Sequence, residues 1–134
     1  MPVRMLPSAA DLLVGVLRPA LAVATVGTLI PDPMPLPFVL ARPIGGAAVD
    51  MRFLARAVVD VQTWAETDRD AEDLAAAARA ALVAAWRQQV VVPGVGSVGW
   101  LAERAAPVLL PDEHTGDGVY RYQATYELTI RPAS

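Results

Sequence analysis

The sequence contains no cysteine, no lysine and only one histidine, and its 134 residues carry a net charge of -3. Without cysteine, neither a disulfide bond nor a zinc site with thiolate ligands can form. The basic residues are all arginine and are scattered along the chain without a run. Because tight nucleic-acid binders concentrate positive charge on one surface, the composition disfavours that class of protein.

Long apolar runs are also absent. The longest extends from Ala20 to Ile30 and contains Thr25, Gly27 and Thr28, whereas a membrane-spanning helix needs roughly twenty apolar residues. Asp11 interrupts the apolar stretch near the start that a secretory signal peptide would require. We therefore expect no membrane association, and assembly in the cytoplasm of the cell that makes the protein.

The chain does have an excess of apolar residues, which make up 54% of the sequence. A chain of this length folds as one domain with one core, here spanning residues 1–134. So much apolar surface in a small domain indicates that part of it is covered by partner subunits.

Two helices are predicted from capping residues and apolar periodicity. Ser8 and Asp11 mark the start of the first helix, which should end near Leu17 because Pro19 interrupts it. Thr67 marks the start of the second, which continues to about Gln88. Its core-facing stripe consists of Leu74, Ala78, Leu82 and Trp86.

Alternating or β-branched segments predict the strands. They are residues 23–30, residues 38–44 ended by Gly45 and Gly46, residues 53–64, residues 100–106 and residues 120–131. A proline-rich loop over residues 31–37, a glycine-rich segment over residues 93–99 and a polar loop over residues 107–118 connect them. This order predicts an α+β domain, with a mainly antiparallel sheet of four to five strands and two α-helices packed on one face.

Catalytic and metal-binding chemistry has weak support in the sequence. His114 lies among Asp112, Glu113 and Asp117, but a polar loop with one histidine is more typical of a solvated hairpin connection. The glycine-rich segment lies between a helix and a strand, which is the reverse of the order in a dinucleotide-binding loop. We predict no catalytic residues, no metal site, no cofactor and no enzymatic activity.

The order of several segments resembles the tail terminator proteins of long-tailed (siphovirus-type) bacteriophages that infect high-GC actinobacteria. The resemblance covers nearly the whole chain, and its most distinctive part is the proline–phenylalanine to glycine–glycine block with the strand and alanine-rich helix after it. The segments are the first helix with Asp11, Val-Gly-Thr-Leu-Ile-Pro ending at Pro31, Pro-Phe-Val-Leu-Ala-Arg-Pro-Ile-Gly-Gly ending at Gly46, Ala-Val-Val-Asp-Val-Gln-Thr-Trp-Ala ending at Ala65, the helix from about Asp70 and the closing strand 120–131.

The resemblance implies a structural virion protein that forms a ring, usually of six copies, on the head-proximal end of the tail tube. Such a ring ends tail polymerisation and provides the head–tail joining surface. The implied partners are other copies of the chain, the tail tube protein and a head–tail connector or head-completion protein. DNA passes through the bore without specific binding, and a negative net charge agrees with this because it repels phosphate.

Three groups of residues are candidates for contacts in this ring. Polar residues of the predicted strands 53–64 and 120–131 would pair with each other. The pairs would form either within the subunit, at about 0.2–1 kcal/mol per pair, or across to the next subunit. The polar residues are Arg56, Asp60, Gln62, Arg121 and Glu127. The candidates for contact with the tube or connector are Asp32, Met34 and Leu36, and those for the lumen or an adjacent ring are Asp112, Glu113, His114 and Asp117.

Two alternative functions stay open. Another head–tail connector or a tail-completion protein of the neck would share the size and layout of a terminator. A different class is a dimeric α+β module that binds a small molecule or peptide near Trp64, Trp86 and Trp100. The module predicts a dimer with a saturable ligand site, whereas the ring predicts a larger assembly on tail tubes.

Overall fold

The computed structural model describes residues 8–50, 54–110 and 118–133. The elements are α1 (Ala9–Ala20), β1 (Thr25–Gly27), β2 (Phe38–Asp50), β3 (Leu54–Ala65), α2 (Asp68–Arg87), β4 (Val91–Val92), β5 (Gly96–Leu110) and β6 (Tyr120–Pro132). They form one sheet with the strand order β1-β2-β3-β6-β5-β4. The β1–β2 pair is parallel and the other neighbouring pairs are antiparallel.

The predicted α+β class is confirmed. The sheet has six strands rather than four to five, because the glycine-rich connection after α2 begins with the two-residue strand β4. Both helices pack on the same face of the sheet, where their apolar stripes meet the inward side chains of the long strands. The largest fully buried side chains of this core include Leu17 of α1, Leu82 of α2 and Tyr126 of β6.

The helix starts are stabilised by the capping residues that the sequence indicates. The Ser8 hydroxyl accepts a hydrogen bond from the Asp11 backbone N–H at 3.2 Å, and the Thr67 hydroxyl accepts one from the Asp70 N–H at 3.0 Å. The predicted end of α1 near Leu17 is wrong, since the helix passes through Pro19 to Ala20. A proline in the last turn removes only one helical hydrogen bond, so it does not end the helix before that turn.

The long strands extend further than their sequence patterns predict. Gly45 and Gly46 lie inside β2, where the pairing register with β3 shifts after Pro43. Gly46 has a φ of 135°, and a side chain there would collide with the Arg56 carbonyl oxygen. The glycines therefore accommodate a bulge that bends the strand without ending it. In the same way, register shifts interrupt β5 while it continues to Leu110.

Candidate assembly surfaces

The face of the sheet opposite the two helices, here called the open face, carries the predicted polar pairing residues. Along β3, Val59 and Val61 point into the core beneath the helices, so the alternate residues Asp60 and Gln62 lie on the open face. The five predicted pairing residues all lie on this face: Arg56, Asp60, Gln62, Arg121 and Glu127. The fold thus brings them together, as the alternation of β3 and β6 predicts.

Asp60 is the centre of a hydrogen-bonded network on the open face. Its side chain is nearly inaccessible, with the residue 2% exposed. Its two carboxylate oxygens accept hydrogen bonds from Gln62 Nε2 at 2.6 Å and from Gln123 Nε2 at 2.8 Å. Arg121 donates to Gln62 Oε1 at 3.4 Å, which extends the network across β3 and β6. Both oxygens of this buried carboxylate are therefore satisfied within the subunit.

Glu127 is the second buried carboxylate of the open face. Arg56 Nε lies 3.3 Å from Glu127 Oε1, and Arg104 Nη2 donates to Oε2. The side chains of Arg56 and Arg104 remain 54% and 59% exposed. Each ion pair thus joins a buried carboxylate to a guanidinium that still reaches solvent.

Two members of these networks, Gln123 and Arg104, were not among the residues that the sequence singles out. Gln123 lies on the polar phase of β6, so the alternation of that strand carries a signal for it. Arg104 lies between two residues of β5 at which the register shifts. Because a bulge changes the phase of alternation, the sequence does not show which face Arg104 occupies.

The proline-rich loop folds back onto one end of the open face. Phe38 and Trp64 are buried there with ring centroids 5.9 Å apart. Met34 and Leu36 of the loop pack half-buried against this pair, whereas Asp32 is exposed. Met34 and Leu36 therefore contribute to their own subunit's packing as well as presenting an outer surface.

An acidic groove with a volume of about 610 Å³ lies between the end of α1, the proline-rich loop and the start of α2. Its walls combine apolar residues such as Val23 and Leu36 with the carboxylates of Glu66, Asp70 and Asp73.

The three tryptophans proposed to surround a ligand site do not meet at this groove or at any other shared site. Trp64 lies on the open face, Trp86 packs against the core from α2, and Trp100 lies on β5, partly exposed.

At each lateral edge of the sheet, a long strand has an outer edge that is largely unpaired. On one side β1 covers only Phe38–Leu40 of β2, and on the other β4 covers only Gly96 and Ser97 of β5. In the described part of the chain, no strand pairs with the outer edge of β2 beyond Leu40 or of β5 beyond Ser97. Ile44 and Val108, one on each of these edges, are both 54% exposed.

Tyr126 places a hydroxyl inside the core on the helix side, where it has no hydrogen-bond partner among the described residues. Burial, followed by the nearby charge of Glu103, raises the pKa of Tyr126 to about 12 from the ordinary value of 10.0. Because the unfolded chain ionises this phenol near pH 10 and the folded chain only near pH 12, its ionisation does not oppose folding below pH 10 and lowers stability as the pH rises from 10 towards 12. Hydrogen bonding to Asp68 likewise raises the pKa of Tyr122 to about 12.

We expect Tyr126→Phe to leave stability at pH 7 unchanged or slightly higher, because it removes a buried hydroxyl without a partner. The variant should lose less stability than the wild type between pH 10 and 12, with the remaining loss due mainly to Tyr122. Urea unfolding followed at pH 7 and at pH 11 measures both effects. Tyr120→Phe, at a partly exposed position, is the matched control, and equal alkaline losses in all three proteins would contradict the prediction.

The remaining predicted residues are not placed by the structure, since Asp112, Glu113, His114 and Asp117 lie outside the described residues. Within residues 8–50, 54–110 and 118–133, no group of three or more metal-ligating His, Cys, Asp or Glu side chains is found. The helices of the same ranges include none that is long and apolar enough to cross a membrane.

No protein-family model matches the chain, and no curated protein matches its sequence. Among solved structures, the chain is similar to a chain of the virion of a native gene transfer agent (GTA) particle. The TM-score is 0.50 at 17% sequence identity, and the match covers 92% of this chain and 95% of that chain. The likeness shows a shared fold over nearly the whole length of both chains, despite the low sequence identity.

Proposed function

We propose that the protein is a structural component of a tailed, phage-like virion. In this proposal it forms a ring of six copies that caps the head-proximal end of the tail tube, ends tail polymerisation and presents the head–tail joining surface. The observation that carries the proposal is the fold shared almost end to end with a chain of a virion particle. The segment order described in the sequence independently favours the terminator position in such a virion.

The surfaces of the subunit agree with a protein that acts by assembly. Two unpaired strand edges and the exposed apolar side chains on them provide surface that other subunits can cover. The buried carboxylates Asp60 and Glu127 bind side chains of the open face within the subunit, while the exposed part of Arg56 is available to a neighbouring copy. Subunits with two different, complementary edges are suited to a closed ring.

The contact candidates keep distinct places in this proposal. Asp32, together with the outer surfaces of Met34 and Leu36, meets the tube or the connector from the proline-rich loop. The segment over residues 111–117, whose titratable residues are acidic apart from His114, would face the lumen or an adjacent ring. Negative charge at that position would repel DNA phosphate and let the genome pass.

Mixing the purified protein with tail tube protein tests this function. We expect electron microscopy to show a cap on one end of each tube and tubes that stop growing, with tube protein alone as the control. The mass of the cap should correspond to six copies. A stable monomer or dimer that never associates with tubes would overturn the proposal, and a dimer that binds a ligand saturably would favour the binding-module alternative.

The same experiment separates the terminator from a neck protein. A neck protein, whether another head–tail connector or a tail-completion protein, would bind a head component and leave tube growth unchanged. A protein that stops tube growth in the absence of any head component is acting as a terminator.

A further inference from the structure

We propose that neighbouring copies join through their strand edges, with the unpaired edge of β2 in one copy pairing with the unpaired edge of β5 in the next. The resulting joint is a continuous antiparallel sheet that passes from subunit to subunit. This inference rests on the proposed ring and names the surface that closes it. Its occupant is a second copy of this chain.

The positions of the two short strands suit such a joint. The pairing registers place Phe38, Trp64, Arg121 and Leu110 in one row at one end of the sheet. β1 covers β2 at this end, and β4 covers β5 at the other end. The covered stretches are therefore diagonal to each other. A neighbour shifted by a few residues along the strands brings open edge against open edge without a collision with β1 or β4.

The strand directions also suit a joint between copies in the same orientation. β2 and β3, β3 and β6, and β6 and β5 are antiparallel pairs, so β2 and β5 run in opposite directions. When two identically oriented copies lie side by side, β5 of one meets β2 of the next in antiparallel fashion. Contacts between two different surfaces repeat from copy to copy, and they close into a ring when the rotation permits.

The residues on the two edges complement each other in this arrangement. The shifted register that spares β1 and β4 brings Pro43 of one copy close to Pro107 of the next. Because proline has no backbone N–H to donate, placing the two prolines together confines the loss of ladder hydrogen bonds to one part of the joint. The same register covers Ile44 and Val108, which the isolated subunit leaves exposed.

Pairs of introduced cysteines test the joint, because the chain has no other thiol. In the register that leaves β1 clear, Ala41 lies opposite Leu110, which places Ile44 within one residue of Ala106 across the joint and Arg42 within one residue of Val108. We expect Ile44→Cys with Ala106→Cys, treated with a short bifunctional maleimide, to give a ladder of covalent multimers that ends at the ring size. Arg42→Cys with Val108→Cys is a second pair in the same register, in case the first variant does not fold. Circular dichroism checks the fold of each.

The controls separate the joint from other contacts. Each single-cysteine variant should give no cross-link, because the joint brings two different edges together. Ile44→Cys with Ala80→Cys, on the exposed surface of α2, should give none either. Dimers from Ile44→Cys alone would overturn the proposal in favour of a symmetric β2–β2 contact.

The outcome also distinguishes this proposal from the function on which it rests. Tubes that are capped by variants in which neither folded pair cross-links would overturn the edge joint and leave the terminator function standing. A covalent ladder from a protein that never caps tubes would support the joint and overturn the tail function. Capped tubes with a ladder from the paired variants alone would support both.

Discussion

Replacing Asp60 with alanine is expected to lower the free energy of unfolding by about 2–3 kcal/mol, since it leaves two amide donors without their acceptor. Those donors, on Gln62 and Gln123, lie 2.6 and 2.8 Å from the carboxylate oxygens. Gln62 is buried, so water does not readily replace the lost acceptor. Removing a buried carboxylate also relieves its desolvation cost, and this keeps the expected loss below the sum of two orphaned donors.

Asp60→Asn separates charge from hydrogen bonding at the same position. An amide oxygen can still accept from one glutamine, so we expect a loss of about 1 kcal/mol. Thr125→Ala is a matched control, because Thr125 lies opposite Asp60 in the register of β3 and β6. Urea unfolding followed by tryptophan fluorescence measures all three variants. An Asp60→Ala protein as stable as the wild type would mean that the network makes no net contribution to stability.

The open face shows how far alternation predicts a site. Along β3 and β6 the period of two holds without interruption, so the sequence correctly predicts that Arg56, Asp60, Gln62, Arg121 and Glu127 share a face. It does not predict that Asp60 and Glu127 are almost inaccessible, because their burial depends on long side chains from neighbouring strands. Arg104 comes from one such strand, and only the fold brings it to Glu127.

The sequence predicts that β2 and β5 exist but makes both of them too short. Gly45, Gly46 and Pro107 are residues that usually end strands, yet here they lie within strands that bulge at or near them. A glycine pair gives the same sequence signal whether it forms a turn or a bulge. The pairing partner decides between the two, and β3 and β6 continue beside the bulged segments.

The unpaired edges could not be found from the sequence for a related reason. Whether a strand lies at an edge depends on strand order, and the order here is not the order of the chain. The sequence assigns Ile44 to a predicted strand and Val108 to a predicted polar loop, and only the sheet places both at its unpaired edges. The exposed apolar surface that the composition predicts is therefore assigned to particular residues only by the fold.

Lysine at both edges, Ile44→Lys with Val108→Lys, is expected to abolish the proposed ring and its capping of tubes while the subunit stays folded. Both side chains are exposed in the subunit, so the change should alter its free energy of unfolding by no more than about 0.5 kcal/mol. At a paired edge, the substitution removes the apolar contact of Ile44 or Val108, and the lysine ammonium group has to be desolvated. Natural sheets use edge lysines in this way to prevent edge-to-edge association. We expect each joint to weaken by about 2–4 kcal/mol.

A weakening of this size lowers the association constant of one joint by roughly 30- to 1,000-fold, and the loss recurs at every joint of a ring. Ala76→Lys with Ala80→Lys adds the same charge on the exposed surface of α2 and is the matched control. Mass measurement in solution and electron microscopy of tubes compare the two variants, and thermal unfolding verifies that both are folded. Caps formed by the edge variant would contradict the prediction, because the ring would then close through another surface. Loss of caps in both variants would attribute the effect to net charge, whereas loss in the edge variant alone would assign it to the edges of β2 and β5.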